Sequence, residues 1–195
     1  MKKLLAIFIA GFVIVMSQGL REVAGDDDGG IPLRALAGKY SSTAHGSYAL
    51  CLDPKNNFAE VNCSSTKAVV FPQTEVDVGY GTQDAKGNSC TTYTGTASDQ
   101  PPDVSPPAVF EFIVVGKTKD YDPATGSGDG PFTSYSGGKC VGADFNSGGA
   151  TIVASGSAHS VAAKDGKRTD FVLTALTDPV GGRGDFSYYG TNLRQ

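Results

Sequence analysis

The sequence predicts an all-β protein, a single antiparallel up-and-down β-barrel, with a two-sheet β-sandwich as the alternative. From residue 36 onward the chain consists of short runs rich in Val, Thr, Ser and Tyr. Gly, Pro, Asn and Asp separate these runs, and no helical stretch interrupts them. The 26 glycines and the absence of tryptophan fit a chain of strands and turns.

The order of these runs favours a barrel over a sandwich. About eight to ten strands follow one another with short connections, and such strands usually pair with their neighbours in the chain. Closing the resulting meander removes its exposed edge strands. Glycines inside the strands also suit the strong curvature of a barrel wall.

The clearest strand spans residues 74–80, where apolar and polar side chains alternate. A period of two is typical of a half-buried strand. A turn at 84–88 follows, and the Thr-rich segment 90–96 predicts the returning strand of a hairpin. The apolar face, which we expect to be buried, consists of Val76, Val78 and Tyr80.

The next predicted strand, residues 109–115, is almost continuously apolar and is the best candidate for a central strand. Phe110 and Phe112 share one of its faces, and Glu111 lies on the other. We predict loops at 99–107, which holds four prolines, and at 119–130. Further strands are predicted at 132–135, 139–144, 150–161, 169–176 and 185–193.

Residues 1–18 predict a signal peptide. Lys2 and Lys3 precede an apolar run at 4–15, and small and polar residues follow it. The run of about twelve residues is too short to cross a bilayer, so we expect no membrane insertion of the product. The cleavage site is open between residue 17 and residue 25. The expected domain plan continues with an acidic, Gly-rich leader at 19–35 and one β-barrel domain at 36–195.

The acidic charge of the chain argues against nucleic acid as a partner. The formal net charge is −4, and loss of Lys2 and Lys3 with the signal would lower it to about −6. Proteins that bind nucleic acid place lysines and arginines against the phosphates, whereas these residues are scattered here. We therefore expect an exported protein, periplasmic or extracellular, with no nucleic acid partner.

The four cysteines predict two disulfides. An even number of cysteines in an exported chain favours disulfides, and three connectivities can be drawn from four cysteines. Cys51 and Cys63 flank a turn-rich stretch that would bring them together. We therefore expect Cys51–Cys63 with Cys90–Cys140. Neither a C-x-x-C motif nor clustered histidines accompany them, so the sequence predicts no metal site and no cofactor.

The two ends of the expected domain resemble the lipocalins. The tripeptide Gly-Lys-Tyr at residues 38–40 is similar to the G-x-W start of that family, with Tyr in place of Trp. Arg194 is similar in placement to the arginine that packs across the first strand in those proteins. The resemblance implies a lipocalin-like or calycin-like barrel. Residues 164–170 and 184–187 also resemble small exported bacterial β proteins of unassigned function.

Groups that could carry catalysis are few. No G-x-S-x-G motif occurs, and the chain has four glutamates. We expect Glu111 to face solvent, with a ligand-binding or catalytic role as the alternative. His159 shares a strand face with Ser155 and Ser157, and that pattern predicts an ordinary polar face. The aspartates of the 119–130 loop predict a hairpin rather than a calcium site, because no glutamate closes the EF-hand pattern.

The leading functional hypothesis is a non-enzymatic barrel that holds a small apolar or amphipathic ligand. An eight-stranded barrel either fills its interior with side chains or encloses one small ligand. A structural or protein-interaction module of the periplasm or cell surface is the alternative, and a barrel-type enzyme with a single acid or histidine is the second alternative. The expected ligand-binding residues are Val76, Tyr80, Phe110, Glu111, Phe112 and Tyr188.

Overall fold

Eight strands of the chain close into an antiparallel β-barrel. The structure, a computed structural model, describes residues 29–98 and 109–195. The predicted signal peptide at 1–18, its cleavage site and most of the predicted leader lie outside the described residues. The Pro-rich loop predicted at 99–107 lies outside them as well.

Strands make up almost all of the regular structure in the described residues. Two short 3-10 helices, Leu33–Leu36 and Pro54–Asn56, accompany them. The strands are β1 (Gly38–Asp53), β2 (Ala59–Glu60), β3 (Val69–Gln83), β4 (Asn88–Ser98), β5 (Val109–Lys117), β6 (Asp120–Asp122), β7 (Ser127–Ser136), β8 (Lys139–Val141), β9 (Asp144–Asn146), β10 (Thr151–Ala162), β11 (Arg168–Thr177) and β12 (Arg183–Arg194).

The barrel is an up-and-down meander of β1, β3, β4, β5, β7, β10, β11 and β12. Each strand pairs antiparallel with the next, and β12 pairs with β1 to close the ring. The pairing of β7 with β10 bridges the excursion that contains β8 and β9. The short β2 pairs with the end of β1, and the short β6 pairs with the start of β7. The closed ring confirms the predicted barrel and excludes the sandwich.

The predicted strands lie within observed strands, with two differences. Residues 119–130, predicted as a loop, contain β6 and the start of β7. The Asp122 carboxylate accepts hydrogen bonds from the Ala124 amide and the Thr125 hydroxyl, and Gly126 takes φ 69°, so the chain turns back as a hairpin. The predicted strand 139–144 is divided into β8 and β9 because Gly142, at φ 66°, turns the chain.

One end of the barrel is covered by the 3-10 helix Leu33–Leu36. The Tyr40 hydroxyl donates a hydrogen bond to the carbonyl of the last helical residue. Arg194 Nη1 donates to the Ala35 carbonyl at 2.8 Å, and its Nε lies 2.9 Å from the position a Cβ would take at Gly38. The folded domain therefore includes most of a helix that the domain plan placed in the leader.

The interior face of β3 is the reverse of the predicted one. Val76 and Tyr80 are 50% and 68% exposed, whereas Asp77 is fully buried. Directly opposed residues of a sheet point to the same side. Phe110 lies opposite Gly95, and Gly95 lies opposite Asp77. If the Phe110 face of β5 is inside the barrel, Asp77 must be inside and the β3 valines outside.

Both disulfides have the predicted pairing. Cys51–Cys63 joins the end of β1 to the segment after β2, and Cys90–Cys140 joins β4 to β8. The second bond holds the β8–β9 hairpin on the outer wall of the barrel. There the Phe145 ring packs on Tyr135 with centroids 4.4 Å apart. The disulfides thus secure features outside the barrel ring.

The two disulfides should differ in their contribution to stability. In the chain-entropy description, a bond that closes 50 residues stabilises by about 4 kcal/mol and one that closes 12 residues by about 3 kcal/mol. We expect Cys90→Ala/Cys140→Ala to lower the free energy of unfolding in urea more than Cys51→Ala/Cys63→Ala. An equal or larger loss for the shorter loop would contradict this ordering.

Candidate functional site

The barrel encloses a cavity of about 380 Å³, to which all eight barrel strands contribute lining residues. This volume lies in the range of small-molecule sites, about 300–1,000 Å³. Phe110, Phe112 and Tyr188 line the cavity, as the ligand-binding hypothesis expected. The Tyr188 ring occupies the space over Gly46, where any side chain would collide with it. The interior therefore holds open space between large rings.

An aromatic wall forms one side of the cavity. The Tyr93 and Phe112 rings stack with centroids 5.2 Å apart, and Phe110 lies 5.8 Å from Phe112. The Tyr93 hydroxyl is within 2.6 Å of the Ser42 hydroxyl, and burial raises the pKa of Tyr93 to about 12. Phe132, Phe171, Leu173 and Leu176 continue the apolar lining on β7 and β11.

A polar cluster occupies another part of the lining. Glu75 is 7% exposed and reaches the cavity beside Tyr48. Burial, followed by the Glu75 carboxylate, raises the pKa of the Tyr48 hydroxyl. The Arg183 guanidinium lies over the Tyr48 ring, 5.2 Å from its centroid, and no described group bonds its buried Nε. We call Tyr48, Glu75, Asp77 and Arg183 the polar cluster.

Asp77 is the most deeply buried residue of the polar cluster. Neither of its carboxyl oxygens accepts a hydrogen bond from a described donor, and its hydrogen-bonding neighbour is the Glu75 carboxyl group. Burial and the nearby Glu75 carboxylate raise the pKa of Asp77 to about 9. Asp77 is therefore protonated at neutral pH. A side chain at Gly95 would collide with both the Asp77 carboxyl group and the Phe110 ring, so the acid lies against the aromatic wall.

A turn before β12 positions Arg183. The Asp178 carboxylate accepts hydrogen bonds from four successive backbone amides. Burial alone would raise the pKa of Asp178, but these donors hold it below its ordinary value. The four donors belong to Val180, Gly181, Gly182 and Arg183. This turn places Arg183, the first residue of β12, at the edge of the cavity.

Three of the expected ligand-binding residues lie on the outer wall. Val76 and Tyr80 point away from the cavity, because the pairing of β3 with β4 places them on the outer face. Glu111 borders the cavity, but it lies opposite Thr94, which in turn lies opposite Val78. Its side chain is therefore exposed on the outer face, as expected, and Phe110, Phe112 and Tyr188 of the expected set point inward.

The histidines lie outside the cavity. His159 Nδ1 is 3.0 Å from the Asp129 carboxylate on the outer wall, and among the described residues no serine hydroxyl bonds the His159 ring. His45 stacks on Tyr189 with centroids 5.7 Å apart. Within residues 29–98 and 109–195, no three His, Cys, Asp or Glu side chains are arranged to hold a metal ion.

Sequence reasoning missed the polar cluster. Its acids occupy the alternate positions of the very strand whose valines were expected to face inward. The signal that could have found them is the pairing between strands, because an inward Phe110 requires an inward Asp77. No local pattern predicted that Tyr48 and Arg183 face the cavity. The pairing of β1 with β12 changes register between Ser47 and Ala49, so regular alternation does not extend to these two residues.

Comparisons with known proteins give no relative for this chain. No family model, curated protein or solved structure matches it. In the part of the chain that the structure describes, no helix is long and apolar enough to cross a membrane. The site is therefore interpreted from its own geometry.

Asp77 should make the protein less stable as the pH rises. The folded state holds the Asp77 proton between the ordinary pKa of 3.8 and about 9, so over this window it binds more protons than the unfolded chain. The free energy of unfolding should fall by up to about 1.4 kcal/mol per pH unit from this group. Asp77→Asn keeps the position neutral, and we expect it to flatten this slope.

Urea unfolding at about pH 5 and about pH 8 measures the effect. Glu111→Gln is the matched control because it removes an exposed carboxylate from the outer wall. It should keep the wild-type slope. A wild-type slope in Asp77→Asn would show that the buried acid does not carry the pH dependence.

Proposed function

We propose that this protein is an exported, non-enzymatic barrel that binds a small amphipathic molecule in its cavity. The observation that carries the proposal is a cavity inside the barrel with an aromatic wall and a separate polar cluster. An apolar body against Phe110 and Phe112 would gain affinity from buried area, about 25 cal/mol per Å². Polar atoms of the ligand would meet Tyr48 and Glu75.

The proposal of export rests on the predicted signal and the cysteines. Both disulfides are compatible with an oxidising compartment, where such bonds persist. We place the mature protein in the periplasm or outside the cell. The apolar segment at 4–15 would then direct export and be removed.

We further infer a lipocalin-like architecture. The support is the arrangement at the covered end, where Gly38, Tyr40 and Arg194 surround the 3-10 helix Leu33–Leu36. These are the residues on which the sequence resemblance rests. Closure at this end would leave ligand entry to the opposite end, near Arg183.

A second candidate function, a protein-interaction module, is favoured by the outer wall. Val76, Val78, Tyr80 and Val109 are each at least half exposed, and they lie on β3 and β5, the two strands that flank β4. Native mass spectrometry of protein purified from its own host separates the two candidates. A small molecule released on denaturation supports the cavity, and a bound protein supports the outer wall.

Filling the cavity should abolish ligand binding. The probe is N-phenylnaphthylamine, a neutral apolar dye whose fluorescence rises in an apolar site. Ala158 lines the cavity, so Ala158→Phe places a ring in the space that the dye needs. We expect wild type to bind the dye and Ala158→Phe to lose at least about 90% of the signal.

Ser157→Phe is the matched control, since the preceding residue of β10 bonds Thr174 on the outer face. It should bind the dye as wild type does. Absence of dye binding to wild type, or equal binding by Ala158→Phe, would contradict the proposed function. Circular dichroism of each variant establishes that the barrel is intact.

A further inference from the structure

We propose that the ligand is an organic cation, an amine carried on a compact apolar or aromatic body, with its ammonium group at Glu75. This inference rests on the proposed function and names the ligand class of the same cavity. It follows from the charges around the cavity, from a buried acid behind Glu75 that accepts no hydrogen bond from a described donor, and from the adjacent aromatic faces.

Negative charge exceeds positive charge around the polar cluster. Glu75 lines the cavity, Asp77 lies behind it, and Glu60 on β2 faces Arg183, whose charge opposes the burial-raised pKa of Glu60. The Arg183 guanidinium acts on Glu60 and on the Tyr48 hydroxyl, whereas the charge that acts on Asp77 is that of Glu75. A buried negative charge needs a compensating partner, and the ammonium of a ligand would provide it.

Asp77 supplies the independent observation. It is fully buried on the inner face of β3, and its hydrogen-bonding neighbour is another acid, Glu75, so neither oxygen accepts from a described donor. Buried polar side chains almost always have partners. An ammonium group carries three donors and would bind the Glu75 carboxylate, which lines the cavity in front of Asp77.

The aromatic wall suits the same ligand. The Phe110 ring lies beside the Asp77 carboxyl group over Gly95, and the Phe112 and Tyr93 rings continue from it. Aromatic faces attract cations within about 6 Å of the ring centre. A ligand carboxylate is less suited, because the Arg183 guanidinium that it would need lies between Glu60 and the Tyr48 ring.

Three indoles of the same body and different charge test the inference on wild-type protein. Tryptamine is a cation, tryptophol is neutral, and indoleacetate is an anion. The chain has no tryptophan, so indole fluorescence reports the probe alone when excited where tyrosine does not absorb. We expect tryptamine to bind at least about tenfold more tightly than tryptophol, and indoleacetate to bind most weakly.

Equal or tighter binding of tryptophol would overturn the cation preference and leave the proposed function intact. Failure of all three indoles would also overturn it, and the N-phenylnaphthylamine assay would decide separately whether the cavity binds any ligand. These outcomes keep the two proposals distinguishable, because the dye carries no charge.

The Glu75→Gln variant tests the assigned position. It should weaken tryptamine binding by about tenfold or more and leave tryptophol binding unchanged. Asp120→Asn removes an exposed carboxylate from β6, outside the cavity lining, and should change neither. Unchanged tryptamine binding by Glu75→Gln would overturn the assignment, and retained dye binding by that variant shows that the cavity is intact.

Discussion

The hydrogen-bonded register of the closed ring is the constraint on which the rest of this structure depends. Closure of β12 on β1 and pairing of β7 with β10 leave no barrel strand free to shift by one residue. A shift of one residue would move every side chain to the opposite face. The four paired residues Ala44, Asp77, Gly95 and Phe110 must therefore all face the same side of the barrel wall.

This register produces an interior of unusual composition. Small residues such as Gly46 and Gly95 stand beside large rings, and the rings occupy the space that missing side chains leave. The result is a cavity between aromatic groups instead of a filled core. The same set of paired residues brings a carboxylic acid inside, where burial and the neighbouring Glu75 keep it protonated and no described donor bonds its oxygens. Stability is lost at this position, and a chemically distinctive surface is formed.

The outer wall carries what an ordinary core would contain. Val76, Val78 and Tyr80 are exposed, and one part of the wall is covered by the β8–β9 hairpin through Cys90–Cys140. Prediction of the strands themselves succeeded because alternation and turn residues are local properties of the chain. Of the expected ligand-binding residues, Phe110, Phe112 and Tyr188 point into the cavity. The acids that alternate with the valines along β3 were missed, because hydrophobicity alone assigned the valine face to the interior of the barrel.

By itself, the sequence determined the all-β class and the positions of most strands, because composition and alternation are sufficient for these features. It favoured the observed pairing of the four cysteines but left three connectivities open. Only the tertiary structure decided which face of β3 enters the barrel and that Tyr48, Glu75, Asp77 and Arg183 meet there. The physical reason is that alternation shows that a strand has two faces but does not show which face is buried. That choice depends on pairing between strands that are distant in the chain, and local residue patterns do not contain this information.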